Sequence, residues 1–174
     1  MFYSTARFKF AQHLESNCQL IKEELRQLQK ANFMPWPEKS LYKKGWDVFG
    51  LYAFGKKQDN NCNLCPETTK IVESIPGLTT AGFSSLEAGT HIVPHSGYSK
   101  EVLRGHLGLF IPENCAIRVG NETRQWEEGK CMIFDDTFEH EAWNNSNLTR
   151  IVLLFDFQKS YVKEAIESEL FSIF

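Results

Sequence analysis

Two histidines and an arginine, His95, His140 and Arg150, stand at the edges of short apolar segments in the second half of the chain. The stretch "VPHSGYSKEVLRGHLGL" adds Arg104 and His106 between a Gly-containing turn and an apolar run. Imidazoles from two different strands can converge on one metal ion. Such ligands with open positions beside them suit Fe(II), whose usual protein site is two histidines and a carboxylate. That carboxylate belongs two positions after the first histidine, where this chain has Gly97. Arg150 opens the most apolar segment, "RIVLLFDF". A cation buried there alone is costly, so an anion is expected against it, and its planar fork suits a carboxylate. An arginine holding the far carboxylate of an iron-chelating keto-acid is the logic of a 2-oxoglutarate oxygenase, in which the protein supplies placement.

The neighbouring residues are read in the same way. In "EVLRGHLGLFI", Leu103, Leu107 and Leu109 share one face of a strand, and Arg104, His106 and Gly108 share the other. The polar face is either solvated or, inside a small barrel, lines a pocket. Asp135 and Asp136 either anchor a turn or stand near the metal. His91 is assigned a supporting role, Arg118 and Arg124 a surface position, and Trp126 with Gly129 a packed hairpin corner without chemistry. Cys62 and Cys65 form a CxxC with no second pair at matching spacing, which predicts a structural role. Five cysteines at scattered spacings do not suggest a disulfide framework. The one His-x-Glu, "HLE" at 13–15, lies far from the other candidates and is rejected as a ligand pair.

These groups need a scaffold, and 174 residues suffice for one domain with a proper core. A net charge of −3 argues against a broad nucleic-acid surface. No apolar run approaches the ~20 residues of a membrane span, and the start of the chain lacks a signal-peptide pattern. A cytoplasmic location is the expectation. Residues 11–31 predict one amphipathic helix, ended by Pro35 and Pro37, within a helical part of about 1–45. A strand is expected at 48–54, a polar loop at 55–66 long enough to act as a lid, and a helix at 67–75. Short strands are then expected at 79–87, 90–94, 102–111, 115–119, 122–126, 130–134, 139–143 and 149–157, with a last helix at about 159–171. This is a mainly β pattern, with helices outside a small barrel or jelly roll whose β core runs from about 48 to 157.

Four segments, "FSSLEAGTHIVPHSG", "LRGHLGL", "WEEGKCMIFDDTFEHEAWN" and "TRIVLLFDF", together resemble the aspartyl/asparaginyl β-hydroxylase family of Fe(II)- and 2-oxoglutarate-dependent oxygenases. The resemblance runs from about residue 79 to 157, with weaker likeness through "WPEK" and "FYSTARF". It implies a double-stranded β-helix core, jelly-roll or cupin-like. It also implies an iron site of two histidines and a water without a carboxylate, which Gly97 fits. Carried over by position, His95 and His140 become the Fe(II) ligands. Ser84, Arg104, His106 and Arg150 become the 2-oxoglutarate-binding residues, and Asp136 acts through water near the vacant position. O2 would be the co-substrate, with succinate and CO2 as co-products.

The resemblance implies a substrate of one of two kinds, the β-carbon of an aspartyl or asparaginyl residue or a lipid acyl chain of lipid A type. With neither a membrane segment nor a helical-repeat domain in the sequence, the expectation is an aspartyl or asparaginyl residue or related amino acid. It would be presented by a protein or peptide, free, or on a carrier; lipid is the alternative. A cupin-like protein that binds a carboxylate without turnover is a further alternative. Zinc-dependent hydrolysis is poorly supported, because no HExxH helix is present.

Overall fold

Between Leu78 and Gln158 the chain alternates short apolar runs with turn residues, and each run becomes a strand. The computed structural model describes residues 1–161. Strand β1 (Phe2–Tyr3) is followed by helices α1 (Lys9–Ser16) and α2 (Cys18–Gln27), then strands β2 (Met34–Pro35), β3 (Trp46–Ala53) and β4 (Lys56–Lys57). Helices α3 (Asp59–Leu64) and α4 (Pro66–Glu73) come next. The remaining strands are β5 (Leu78–Leu86), β6 (His91–His95), β7 (Val102–Phe110), β8 (Cys115–Val119), β9 (Glu122–Arg124), β10 (Cys131–Phe134), β11 (His140–Asn144) and β12 (Arg150–Gln158). From β5 onward the boundaries lie within two residues of those expected.

The strands form two antiparallel sheets. The larger has the order β1-β10-β7-β12-β5-β3-β2 with β4 on β3, and the smaller is β6-β11-β8-β9. From β5 to β8 and again from β9 to β12, consecutive strands alternate between the two sheets, the wrapping of a jelly roll.

Side-chain alternation divides the large sheet into two working faces. On β12, Leu153, Phe155 and Phe157 point into a core beneath the helices, with Phe83, Leu107, Leu14 and Ile21. Full burial of each such side chain stabilises by roughly 1.5–3 kcal/mol. The other face of the sheet meets the small sheet around Trp46, Leu86, Ile117, Phe134 and Val152. A central strand covered on both faces reads as a continuous apolar run, as β12 does. No helix among the described residues is long and apolar enough to cross a membrane.

Three expectations need correction. The single helix over 11–31 is two helices, broken at Asn17, whose side-chain amide donates to the His13 carbonyl at 2.8 Å. An amide side chain that bonds backbone competes with the helix ladder. The second helix stops at Gln27, well before Pro35, and a reciprocal Gln29–Asn32 cap leads into the next turn. The stretch 55–66 is not a lid: α3 packs on β3, and Cys62 and Cys65 are buried in the core beneath the helices. All five cysteines are free thiols. The helix expected at 159–171 falls almost wholly outside the described residues.

Candidate active site

His95 ends β6 and His140 begins β11, and the two are directly paired across the small sheet. Their rings lie 4.2 Å apart between centroids, tilted by 53°. Each imidazole is oriented by its own chain: Nδ1 of His95 contacts the Val93 carbonyl at 2.8 Å, and Nδ1 of His140 the Phe138 carbonyl at 2.9 Å. A carbonyl only accepts, so each Nδ1 carries the proton and each Nε2 keeps a free lone pair. That is the tautomer a metal ligand needs, fixed by an outer hydrogen bond. Burial, helped by the adjacent His95, pushes His140 down to about 4, so it is neutral at physiological pH.

Gly97 explains the missing carboxylate sterically. A Cβ at this position would overlap the carboxylate of Asp136. The Gly97 amide donates to the Asp136 carbonyl at 2.7 Å, so the two residues are locked together. Asp136 is buried, and its Oδ1 has no partner. Burial raises its pKa above the usual carboxylate range, against the pull of Arg104. Asp135, by contrast, anchors the turn, accepting from Thr137 N and Oγ1 and from Lys159.

The opposite end of the cavity is built around Arg150, which is 2% exposed. Its guanidinium lies 4.8 Å from the Trp126 ring centre, and it makes no hydrogen bond or ion pair among the described residues. Burial lowers its pKa to about 10, which still leaves it cationic at neutral pH. Leaving an ion so placed costs on the order of several kcal/mol.

Two further donors face the same space. Trp126 Nε1 donates to His106 Nδ1 at 3.1 Å. An indole can only donate, so the neutral imidazole carries its proton on Nε2, which has no partner. Burial, followed by the charges of Arg150 and Arg104, keeps His106 neutral by holding its pKa well below the usual value. Trp46 Nε1 donates to Ser84 Oγ at 3.0 Å, which leaves the hydroxyl proton to point elsewhere. Ser84, His106, Arg150, His95 and His140 line one cavity. Among the described residues, three of the four buried side-chain atoms without partners, on His106, Asp136 and Arg150, belong to this site. These orphaned groups fit a carboxylate ligand at the Arg150 end and a metal at the histidine end. No cluster of three or more His, Cys, Asp or Glu placed to hold a metal occurs among the described residues.

Arg104 differs from expectation. It borders the cavity, but its Nε and Nη2 donate to the two oxygens of Asp156, each at 2.8 Å, and Nη1 lies 3.5 Å from Asp136. Its fork is already filled, because Asp156 is its cross-strand partner. The cation remains strongly ionised, Asp156 overcoming the effect of burial.

His91 is exposed and contacts Glu141 at 2.7 Å, away from the metal end. Arg118 and Arg124 form outer ion pairs with Glu139, Glu141 and Glu122. His13 is exposed and Glu15 caps the Cys131 amide, so neither belongs to the site. Sequence reasoning missed Trp126 and Asp156. The available signals were an indole N–H that must find a partner if buried and a lone carboxylate inside an apolar strand.

Residues 15–160 match the family described as Aspartyl/Asparaginyl beta-hydroxylase. The chain is 43% identical over 168 residues to the ornithine lipid ester-linked acyl 2-hydroxylase of Rhizobium tropici, an alignment covering 90% of this chain and 60% of that protein. It is 39% identical over 161 residues to human aspartyl/asparaginyl beta-hydroxylase, covering 87% of this chain and 21% of that one. It thus spans less than two thirds of either relative, 60% of the first and 21% of the second. A prolyl hydroxylase from Trichoplax adhaerens shares the fold with a TM-score of 0.59 at 12% identity, covering 86% of this chain and 81% of that one. A Pseudomonas putida prolyl-4-hydroxylase does so at 0.52 and 13%, covering 81% and 86%. With its jelly-roll strands, its paired histidines and a family match across most of its length, this chain belongs to the aspartyl/asparaginyl beta-hydroxylase family.

Proposed function

We propose that the protein is an Fe(II)- and 2-oxoglutarate-dependent dioxygenase that hydroxylates a methylene group beside a carbonyl carbon. The observation that carries this reading is the pairing, in one cavity, of two tautomer-locked histidines with a buried arginine that has no counter-anion among the described residues. His95 and His140 would hold the metal through Nε2. Arg150, the His106 Nε2–H and the Ser84 hydroxyl would hold the distal carboxylate of 2-oxoglutarate. Bound there, Fe(II) and 2-oxoglutarate would use O2 to insert one oxygen atom into a C–H bond, the other entering succinate as 2-oxoglutarate loses CO2.

The chain's own residues do the placing. Trp126 sets the His106 tautomer and stacks beneath Arg150, which fixes two donors at once. Asp136 carries an unpartnered oxygen in the space left by Gly97 and is steadied there by Arg104. It would accept a hydrogen bond from water beside the metal. Trp46, Ile117 and Phe134 wall the cavity with apolar surface and keep bulk water out.

The substrate reading follows from the chemistry common to the two named relatives. The β-carbon of an aspartyl or asparaginyl residue and carbon 2 of an ester-linked acyl chain are both methylenes next to an acyl carbon. The aspartyl or asparaginyl residue expected from sequence and its lipid alternative therefore ask the same of the metal end and differ only in what must be accommodated beyond it. The test is succinate formation from 2-oxoglutarate with Fe(II) under air. A hydroxylase produces succinate, and His140→Ala stops it. Binding of 2-oxoglutarate with no succinate under any condition would instead identify a cupin-like carboxylate binder.

A further inference from the structure

The loop that turns β3 into β4 has two residues, Phe54 and Gly55, since Ala53 pairs with Lys56. Both have positive φ, 50° and 78°, as the tight I′ hairpin turn requires. That turn favours Asn-Gly or Gly-Gly, because a left-handed backbone brings Cβ against the following carbonyl oxygen. Among the described residues the positive-φ positions are six glycines, Asn114 and Phe54, so the bulky exception is Phe54. A large side chain in this conformation costs stability. Burial does not offset the cost, because Phe54 is 73% exposed.

The turn is held firmly. Tyr52 Oη and Lys57 Nζ both donate to Glu73 Oε1, at 2.6 and 2.7 Å, and the Gly55 amide donates to the Thr79 carbonyl at 2.7 Å. The fold therefore presents the Phe54 ring at a fixed place. There it meets Tyr98 edge to face at 5.4 Å. Tyr98 belongs to the connection after β6, three positions past His95, and it too is mostly exposed.

Both rings line a groove that shares His95, Arg104 and Leu154 with the cofactor cavity. They also line a second hollow, with Gly77 and Val102, so the pair stands as a partition between the two. A strained aromatic that faces solvent beside the approach to the metal end has no explanation in the packing of the chain. Strain of this kind is retained where the side chain has work to do with a ligand.

We propose that Phe54, paired with Tyr98, is a specificity-determining residue that contacts substrate. The two rings form the apolar surface on which the uncharged part of the substrate beyond the hydroxylated carbon packs. The inference rests on the hydroxylase reading above and holds for either of its substrate classes.

Phe54→Asn tests this, because it suits the turn better and removes the ring. Its melting temperature should stay level or rise by about 2–4 °C. Succinate formation with Fe(II) and 2-oxoglutarate is then measured with two probes in turn, N-acetyl-aspartyl-leucine amide and methyl octanoate. For the probe that stimulates the wild-type protein, KM should rise about tenfold in Phe54→Asn, the scale of one apolar contact, with kcat near the wild-type value. Tyr98→Ala should raise KM in the same way, and Phe54→Tyr, which keeps a ring, should not. The inference is overturned if Phe54→Asn melts at a lower temperature, which would make the ring structural. It is equally overturned if KM is unchanged in a folded Phe54→Asn or Tyr98→Ala variant. Stimulation of the wild-type protein by neither probe would overturn the hydroxylase reading, and this inference with it, so the two failures are read from different proteins.

Discussion

Two arginines are buried on adjacent strands of the same sheet, and their surroundings are opposite. Arg104 on β7 has a complete partner set, with both oxygens of Asp156 in its fork and Asp136 beside it. Arg150 on β12 has an aromatic ring beneath it and, among the described residues, no anion. A buried cation that the fold has satisfied is part of the scaffold. One that the fold has left unsatisfied marks where a ligand supplies the missing charge. The same contrast separates Asp156, fully engaged, from Asp136, whose Oδ1 is held in reserve.

Substitutions that exchange the two roles would break the comparison. Arg104→Ala leaves Asp156 buried without a counter-charge, so it should cost about 3–5 kcal/mol of stability. Chemical denaturation checks this; a change below ~1 kcal/mol would mean the pair is not structural. Arg150→Met should do the reverse. It removes an uncompensated charge, so the ligand-free protein should be unchanged or more stable in a thermal melt. Its 2-oxoglutarate affinity should fall about 100-fold or more, the worth of two charge-assisted hydrogen bonds. If instead the melting point collapsed and affinity held, the roles assigned to the two arginines would be reversed.

Trp126→Phe sharpens the comparison. It keeps a ring beneath Arg150 but removes the N–H that fixes the His106 tautomer. Calorimetry should show 2-oxoglutarate affinity falling roughly tenfold, the scale of one hydrogen bond, with stability nearly preserved. The pair of half-buried Lys159 with Asp135, away from the cavity, should count least. Burial alone would raise the Asp135 pKa, but its bonds from Lys159 and Thr137 bring it below the usual value. Its contribution is therefore present above the unfolded-state pKa and lost as pH falls through the lower folded-state value. Asp135→Asn should remove about 1 kcal/mol or less at neutral pH, with the difference from wild type closing as the solution is acidified.

The legible part of this architecture was periodic. Arg104 and His106 alternate with Leu103 and Leu107, so their common face follows from the spacing alone, and the strand limits from Leu78 onward follow from turn residues. The side-chain pairs around the cavity were not legible, because they depend on the fold. Asp156 meets Arg104 only because β12 lies against β7, fifty-two positions apart in sequence. Trp126 was expected to end a strand over 122–126, but β9 stops at Arg124 and Trp126 reaches His106 from the loop that follows. Local reading also missed the break at Asn17, where one side-chain hydrogen bond overrides an otherwise continuous helical stripe. Gly97 was visible as a vacancy, but that Asp136 fills the space beside it required the folded chain.

The central claim is that two histidines suffice to hold the metal against a keto-acid bound at Arg150. The most direct measurement is an anaerobic titration of the metal-free protein with Fe(II), with and without 2-oxoglutarate, following visible absorption. A weak charge-transfer band should appear only when both are present, and should vanish in His95→Ala and in His140→Ala. A band that persists in either histidine variant, or 2-oxoglutarate binding in the wild type without any band, would contradict the two-histidine site.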